Sequence, residues 1–139
     1  MSVPVNQRTT GKLEVCIKSR ELATYTIQIT KNKKVFCEEY QDAITDKIIS
    51  TALDIHALIW AANNILVNSY QDMIERLAMQ DKAAAQCNVM LSLIDIAKPL
   101  FHLETKRVMF WGEKVVNVRN LIRSWHNADR KRYSAKYKP

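Results

Sequence analysis

Hydrophobic side chains recur every three or four residues through most of this chain, which is the repeat of an amphipathic α-helix. The clearest stretch keeps this repeat for six turns, at Ile44, Ile48, Thr51, Ala52, Ile55, Ile59, Ala62 and Leu66. Glu38, Glu39 and Asp42 fall in its first turns, where carboxylates favour the positive end of the helix dipole. The pattern therefore predicts a long helix that buries one apolar stripe.

A first helix is predicted from about Lys12 to Thr30. Its inward positions follow the same steps, at Val15, Ser19, Leu22, Thr26 and Ile29. Because β-branched residues such as Thr24 and Ile27 are frequent in its second half, a strand is the alternative there. Strict alternation of apolar and charged residues fails, which favours the helix.

Two more helices are predicted after residue 68. Ser69 and Asp72 form a possible capping box for the third, which ends at Lys98 because Pro99 disfavours a helical residue before it. The fourth starts near Thr105, a plausible cap, and runs to about residue 129. The apolar stripes are Met73, Leu77, Ala84, Cys87, Leu91 and Ile94 in the third helix and Val108, Trp111, Val115, Val118, Ile122 and Trp125 in the fourth.

Four amphipathic helices with short connections predict an all-α, up-down-up-down four-helix bundle. The length of 139 residues fits one domain, and two glycines are too few for a phosphate-binding loop or a hairpin-rich β fold. We expect a flexible lead-in over residues 1–11, the bundle over residues 12–129 and a basic tail over residues 130–139.

The second helix carries a second apolar stripe, at Ile49, Leu53, Trp60 and Val67. At 100° per residue these positions lie roughly 100–140° around the helix from the first stripe. A lone bundle needs one buried stripe per helix, so the second stripe predicts an interface with another copy of the chain. The alternative is a helix at the crowded centre of a monomer.

Charge is distributed in three blocks along the chain. Residues 1–34 carry a net charge of +5, residues 35–104 carry −6 and residues 105–139 carry +8, for a total of +7. Since the first and fourth helices are neighbours in the predicted bundle, their basic residues are expected to form one positive surface. Such a surface is typical of nucleic-acid binding, although Lys-rich faces also serve solubility alone.

The basic surface is expected to bind phosphates or an acidic protein through eight side chains: Lys18, Arg20, Arg119, Arg123, Arg130, Lys131, Arg132 and Lys136. Arg119, Arg123 and Arg130 line one edge of the apolar stripe of the fourth helix. Two tyrosines in the tail, Tyr133 and Tyr137, suit stacking on bases, with a solvated tail as the alternative. Trp125 is expected to hold the fourth helix to the core.

No enzyme signature is apparent in the sequence. The three histidines form no HExxH or ExxH pair, no GxSxG or CxxC motif occurs, and Asp54 and Asp95 are expected to be solvated or paired carboxylates. We therefore expect no catalytic residue, metal or cofactor. The three cysteines are expected to be reduced and buried, and the absence of an apolar leader or a membrane-spanning run predicts a cytoplasmic protein.

Several of these positions together resemble the Avd-like family of four-helix bundles. The resemblance covers about residues 13–132 and is carried by the K-S-R-E-L-A run at 18–23, Tyr25, Phe36, Ala62-Asn63 and the closing W-H-N-A-D-R-K-R run at 125–132. The family includes the accessory variability determinants of diversity-generating retroelements. It is related to the intervening-sequence proteins of bacterial large-subunit ribosomal RNA.

This resemblance implies a homopentameric ring that binds a reverse transcriptase and RNA or cDNA without being a catalyst. Such proteins support the copying of template RNA, with errors at adenines, into cDNA that replaces a variable gene segment. The family also contains members with no known reverse transcriptase partner. An oligomeric protein-interaction scaffold is therefore the alternative function, and a small-molecule or metal-binding bundle is a weaker one.

Overall fold

A computed structural model describes the backbone of residues 5–139 and the side chains of residues 14–139. The described chain forms four α-helices and no strand, which confirms the predicted fold class: α1 (Val5–Thr30), α2 (Asp46–Asn63), α3 (Tyr70–Leu100) and α4 (Thr105–Ser134). Helix α1 begins earlier than the predicted start near Lys12. Residues 1–4 of the expected lead-in lie outside the described residues. No described helix has a stretch long and apolar enough to cross a membrane.

The helices pack in a ring in which each contacts its sequence neighbours and α1 also contacts α4. Hydrogen bonds between helices give their directions. Trp111 near the start of α4 donates to Thr26 near the end of α1 at 3.1 Å. Arg76 at the start of α3 reaches Asp129 near the end of α4. These pairs make α1 and α3 both antiparallel to α4, as the up-down-up-down prediction requires.

The core is built from the predicted apolar stripes of α1, α2 and α4. Its buried members from these stripes include Val15, Leu22, Ile48, Ile55, Ile59, Trp111, Val115, Val118, Ile122 and Trp125. In α3 the stripe is rotated from the prediction. Leu77, Ala84 and Leu91 are half-buried, whereas Arg76, Gln80, Ala83, Met90 and Ala97 are buried beside the predicted Met73, Cys87 and Ile94. Two polar side chains therefore occupy core positions of α3.

The segment before α2 is less regular than predicted. A single 3₁₀ turn, Glu38–Tyr40, is followed by a π-helical turn, Gln41–Thr45, before the α-helix begins at Asp46. Buried Phe36 packs here against Phe101 and Trp111, with ring centroids 4.9 and 6.0 Å away. The irregular turns connect Phe36 and its aromatic neighbours to α2.

Helix α2 is also shorter than predicted, because it ends at Asn63. Leu66 and Val67 belong to the connection to α3, and Leu66 is exposed rather than in the core stripe.

The ends of α3 have clear physical causes. Ser69 is the N-cap, as predicted, and its hydroxyl accepts a hydrogen bond from the Asp72 N–H at 3.1 Å. The helix continues through Pro99 to Leu100. It stops where His102 adopts a left-handed backbone with φ of 54°, and the Leu103 N–H returns to the Lys98 carbonyl at 2.9 Å.

Candidate nucleic-acid and partner interface

Helix α4 continues past its predicted end near Asp129 to Ser134. Arg130, Lys131 and Arg132 therefore lie on its last turns and not in an extended tail. The N-cap of this helix is Glu104, and Thr105, the predicted cap, is its first helical residue. Between residues 119 and 139 the chain has seven Lys or Arg residues and one carboxylate, that of Asp129. The C-terminal end of α4 therefore carries a strong excess of positive charge on an ordered helix.

Asp129 holds this end of α4 in the bundle. Its carboxylate Oδ2 accepts hydrogen bonds from Arg76 Nε at 2.8 Å and from Gln80 Nε2 at 2.7 Å, and all three side chains are buried. Arg76 also donates through Nη1 to the Ile65 carbonyl at 3.0 Å, which ties the α2–α3 connection to the same group. Pairing and hydrogen bonding of this kind offset the desolvation penalty of a buried carboxylate and a buried guanidinium.

Aromatic side chains of α4 complete the anchor. The Arg76 guanidinium carbon lies 5.2 Å from the ring centroid of Trp125 and 5.8 Å from that of Tyr133. Trp125 is buried, as predicted, and Tyr137 donates its hydroxyl hydrogen to the Val67 carbonyl at 3.2 Å. The two tyrosines, both half-buried, thus pack against the bundle, which differs from the alternative of a solvated tail. Stacking of these rings on bases stays a prediction.

Arg119, Arg123 and Arg130 share the side of α4 that faces α3. Arg119 Nη1 donates to Asn88 Oδ1 of α3 at 2.8 Å, and Arg123 lines a groove between the two helices. Arg130 follows Arg123 by seven residues, which places it on the same face. Arg123 and Arg130 are exposed, and among the described side chains none of the three arginines forms an ion pair with a carboxylate.

The other predicted contact residues are exposed but lie elsewhere. Lys18 is in the groove between α1 and α4, and its Nζ lies 3.4 Å from Glu21 Oε2. Arg20 lies on the side of α1 that faces α2, beside His56. Lys131 and Arg132 are about 100° and 200° around α4 from Arg130, and Lys136 follows the helix end. The basic residues of α1 and α4 therefore do not form one face, because Arg119 and Arg123 flank α3 and not α1.

Three of the four predicted interface residues form an apolar surface on α2. Leu53 is 46% exposed and Trp60 is 55% exposed, and Ile49 is half-buried on the same side of the helix. Val67 does not belong to this stripe, because α2 ends before it. We call Ile49, Leu53 and Trp60, together with the groove that Trp60 lines beside α1, the α2 surface. That groove has a volume of about 460 Å³, with Cys16, Ile17, Arg20, His56 and Ala57 as its other lining residues.

His56 connects the α2 surface to α1. Its Nδ1 is 2.9 Å from Ser19 Oγ, and its ring lies 6.3 Å from that of Trp60. Burial, and then the charge of Arg20, lower the pKa of His56 below the ordinary 6.5. His56 is therefore neutral at pH 7, and a neutral ring packs against apolar neighbours at less cost than an imidazolium.

The groups considered for catalysis and metal binding are dispersed. Asp54 and Asp95 are exposed on separate helices, and no group of three His, Cys, Asp or Glu residues among the described side chains could hold a metal ion. The three cysteines form no disulfide, with Cys16 and Cys87 buried and Cys37 half-buried. Burial raises the pKa of the Cys87 thiol to about 12, so this thiol is protonated at neutral pH.

Sequence reasoning missed Arg76 and Gln80, although a signal for them was present. Met73, Arg76, Gln80, Ala83 and Cys87 follow helical steps of three and four residues, so two polar residues fall on an apolar stripe. Polar residues at such positions require buried partners. The sequence does not reveal that the partner is Asp129, which lies 53 residues beyond Arg76.

No protein-family model, curated protein or solved structure matches this chain.

Proposed function

We propose that this protein is a non-enzymatic accessory factor of a diversity-generating retroelement. In this proposal it assembles into a homo-oligomeric ring in the cytoplasm, with five subunits as the resemblance to Avd-like proteins implies. The ring binds template RNA or cDNA and a reverse transcriptase through basic surfaces, and it supports mutagenic copying by organising these partners.

The observation that carries nucleic-acid binding is the anchored, cationic end of α4. Arg130, Lys131 and Arg132 follow directly on Asp129, which Arg76 and Gln80 hold in the core. A charged helix that is already ordered loses little conformational entropy when it binds a polyanion, whereas a free tail loses more. The exposed cations at this end outnumber the carboxylates of the same segment, which favours phosphate contacts.

Self-association is supported by the α2 surface. Leu53 and Trp60 each expose about half of their area next to an apolar groove on α1. Exposed aromatic and aliphatic groups that adjoin one another are typical of protein interfaces, and Trp is among the residues that contribute most to binding. A second copy of the chain is the proposed occupant, and a ring would repeat this contact around an axis.

One observation favours the alternative of a protein-interaction scaffold without a reverse transcriptase. The outer side of α3 exposes Ile74, Val89 and Ile96 at 38–52% of their area. This second apolar surface suits a protein partner and not a nucleic acid. In the scaffold function, the basic surfaces would contact an acidic protein, and affinity for RNA would be negligible.

The test is the binding of a structured RNA to the purified protein, titrated across salt concentration. Wild-type protein is expected to bind with an affinity that falls steeply with salt, since each phosphate contact adds about 0.7–0.9 to the slope of log K against log salt. The Arg119→Gln, Arg123→Gln, Arg130→Gln triple variant is expected to lose most of this affinity and about two units of slope, with oligomer size unchanged.

A matched control removes the same charge from the opposite end of the bundle, with Lys31→Gln, Lys34→Gln and Lys106→Gln, all exposed positions. Its RNA binding is expected to stay close to wild type. Equal losses in the two triple variants would show that net charge alone governs binding and would contradict the assigned surface. Absence of wild-type RNA binding at every salt concentration would support the scaffold instead.

The retroelement partner is tested separately. The protein is mixed with the purified reverse transcriptase of a diversity-generating retroelement from the same genome, and a stable complex is expected by size-exclusion chromatography. A source genome without such an enzyme would overturn this part of the proposal.

A further inference from the structure

We propose that the groove between α3 and α4 is a binding pocket for a single nucleotide, which reads an unstacked base and holds its phosphate. The inference rests on the proposed nucleic-acid binding and specifies what it recognises. The shared chemistry is a planar, hydrogen-bonding base joined to a phosphate, supplied either by a free nucleotide or by a nucleotide of a single strand.

The groove has the size and lining of a ligand site. Its volume is about 360 Å³, within the roughly 300–1,000 Å³ of small-molecule pockets. Small or apolar side chains, Ala84, Ala85 and Ile122, supply a surface on which a flat ring can lie. Polar groups surround them: Gln80, Asp81, Asn88, Arg123, His126 and Asn127. An apolar floor with a polar rim is the pattern that binds a nucleobase.

Hydrogen-bonding capacity along this groove is unused. The Asp129 carboxylate can only accept, so Gln80 must present its Nε2 to it, which leaves Oε1 as an acceptor. Gln80, which lines the groove, has a buried Oε1 without a hydrogen-bond partner among the described residues. Arg119 Nε, one turn before Arg123 on α4, is also buried without a partner among them. A buried polar atom without a partner is unfavourable, so a ligand that forms a hydrogen bond to one of these atoms removes that penalty.

Charge selects an anionic ligand. Arg123 lines the α4 edge of the groove, and Arg119 and Arg130 lie on the same face of α4, one turn before it and two turns after it. None of the three has a carboxylate partner among the described residues. The one carboxylate in the lining, Asp81, is largely exposed and lies 3.2 Å from His126 Nε2. Guanidinium groups hold a phosphate through paired N–H donors. Asp81 can accept a hydrogen bond from a base edge, and the side-chain amides of Asn88 and Asn127 can donate to one. A bare phosphate would leave the Asp81 acceptor unused.

The test uses nucleoside monophosphates, ribose 5-phosphate and inorganic phosphate as probes of the isotope-labelled full-length protein by NMR. All four nucleoside monophosphates are added in turn, and saturable shifts are expected at the amides of residues 84–88 and 123–127. Binding of at least one nucleotide should be about tenfold tighter than that of ribose 5-phosphate. Equal affinity for ribose 5-phosphate, or shifts confined to other helices, would overturn the pocket.

The discriminating variant is Ala85→Leu, which narrows the groove without changing any charge. Its matched control is Ala78→Leu, an exposed position two turns earlier on α3 and outside the groove lining. Ala85→Leu is expected to weaken nucleotide binding about tenfold, and Ala78→Leu should leave it unchanged. Since both keep every cation, the salt-dependent binding of structured RNA should persist in both. Nucleotide binding that survives Ala85→Leu would contradict the assignment.

Competition separates the two ligand sources and the two proposals. A single-stranded RNA of about ten nucleotides that displaces the mononucleotide supports a strand in the pocket, and RNA that binds without displacing it supports a free nucleotide. RNA binding by a protein that shows no mononucleotide shifts would overturn the pocket and leave the proposed function standing. Mononucleotide binding without any RNA binding would support the pocket and overturn the accessory function.

Discussion

Asp129 is the residue on which the placement of the basic helix end depends. It is the only carboxylate after residue 113, and it is buried with two donors on its Oδ2 atom. The Arg76 guanidinium bridges it to the α2–α3 connection and lies against two aromatic rings of α4. One buried ion pair thus joins three parts of the bundle.

Asp129→Ala is expected to lower the free energy of unfolding by about 3 kcal/mol, because it leaves the Arg76 charge buried without its partner. The measurement is urea denaturation followed by circular dichroism, at one fixed protein concentration since oligomerisation shifts apparent stability. The double variant Arg76→Met, Asp129→Leu removes both charges and should recover most of the loss. A change below about 1 kcal/mol in Asp129→Ala would contradict the anchoring role.

Helix α4 contains one glycine in its thirty residues, at Gly112. Its φ is not positive, and a Cβ built there would meet only Leu91 Cδ2, at 3.8 Å, an ordinary van der Waals contact. Glycine in a helix interior is unfavourable by roughly 0.5–1 kcal/mol relative to alanine, because it loses more backbone entropy on folding. Neither the backbone nor the packing of α4 requires a glycine here.

Gly112→Ala is therefore expected to raise the free energy of unfolding by about 0.5–1 kcal/mol. Thermal and urea denaturation of the variant beside the wild type measure this change. The affinity for RNA, which depends on charges further along α4, serves as the internal control and should be unchanged. A destabilised Gly112→Ala protein would mean that the approach of α3 to α4 is closer than the Leu91 distance indicates.

At the scale of the whole molecule, apolar surfaces on both α2 and α3 face outward from the bundle. The α2 surface lies beside α1, and the outer side of α3 carries a separate row of aliphatic residues. These surfaces lie on different helices, so one contact with a second copy need not cover both. Variants on each surface therefore test whether the proposed oligomer forms through α2 or through α3.

Trp60→Glu and Leu53→Glu are each expected to convert the oligomer to monomer while helical content is retained, because a carboxylate at the centre of an apolar contact is desolvated without a partner. Size-exclusion chromatography with light scattering gives the mass, and circular dichroism gives the helix content. Ile96→Glu on α3, where the side chain is 52% exposed, is the matched control and should leave the oligomer intact. A monomeric wild type would contradict the α2 interface.

Much of the fold could be predicted because helical periodicity is a local property. The stripes of α1, α2 and α4 were identified from spacing alone, and so was the Ser69 cap, whose partner is three residues away. Predicted boundaries were less accurate at α4, which runs five residues past Asp129. The helix continues beyond Asp129 because Tyr133 and Tyr137 pack against the bundle. The sequence around them is mostly charged and therefore does not predict this packing.

The sequence identifies the cations of the candidate site, but it reveals neither their arrangement nor the buried Arg76 and Gln80 behind them. The sequence by itself determined four amphipathic helices, an excess of cations at the end of the chain and an apolar second side on α2, since each follows from the order of side chains along one helix. Only the tertiary structure decided that Arg119 and Arg123 face α3, that Lys18 and Arg20 lie on two different sides of α1, and that Asp129 pairs with Arg76. These relations depend on the rotation of each helix about its axis, which is set by the packing of all four helices together.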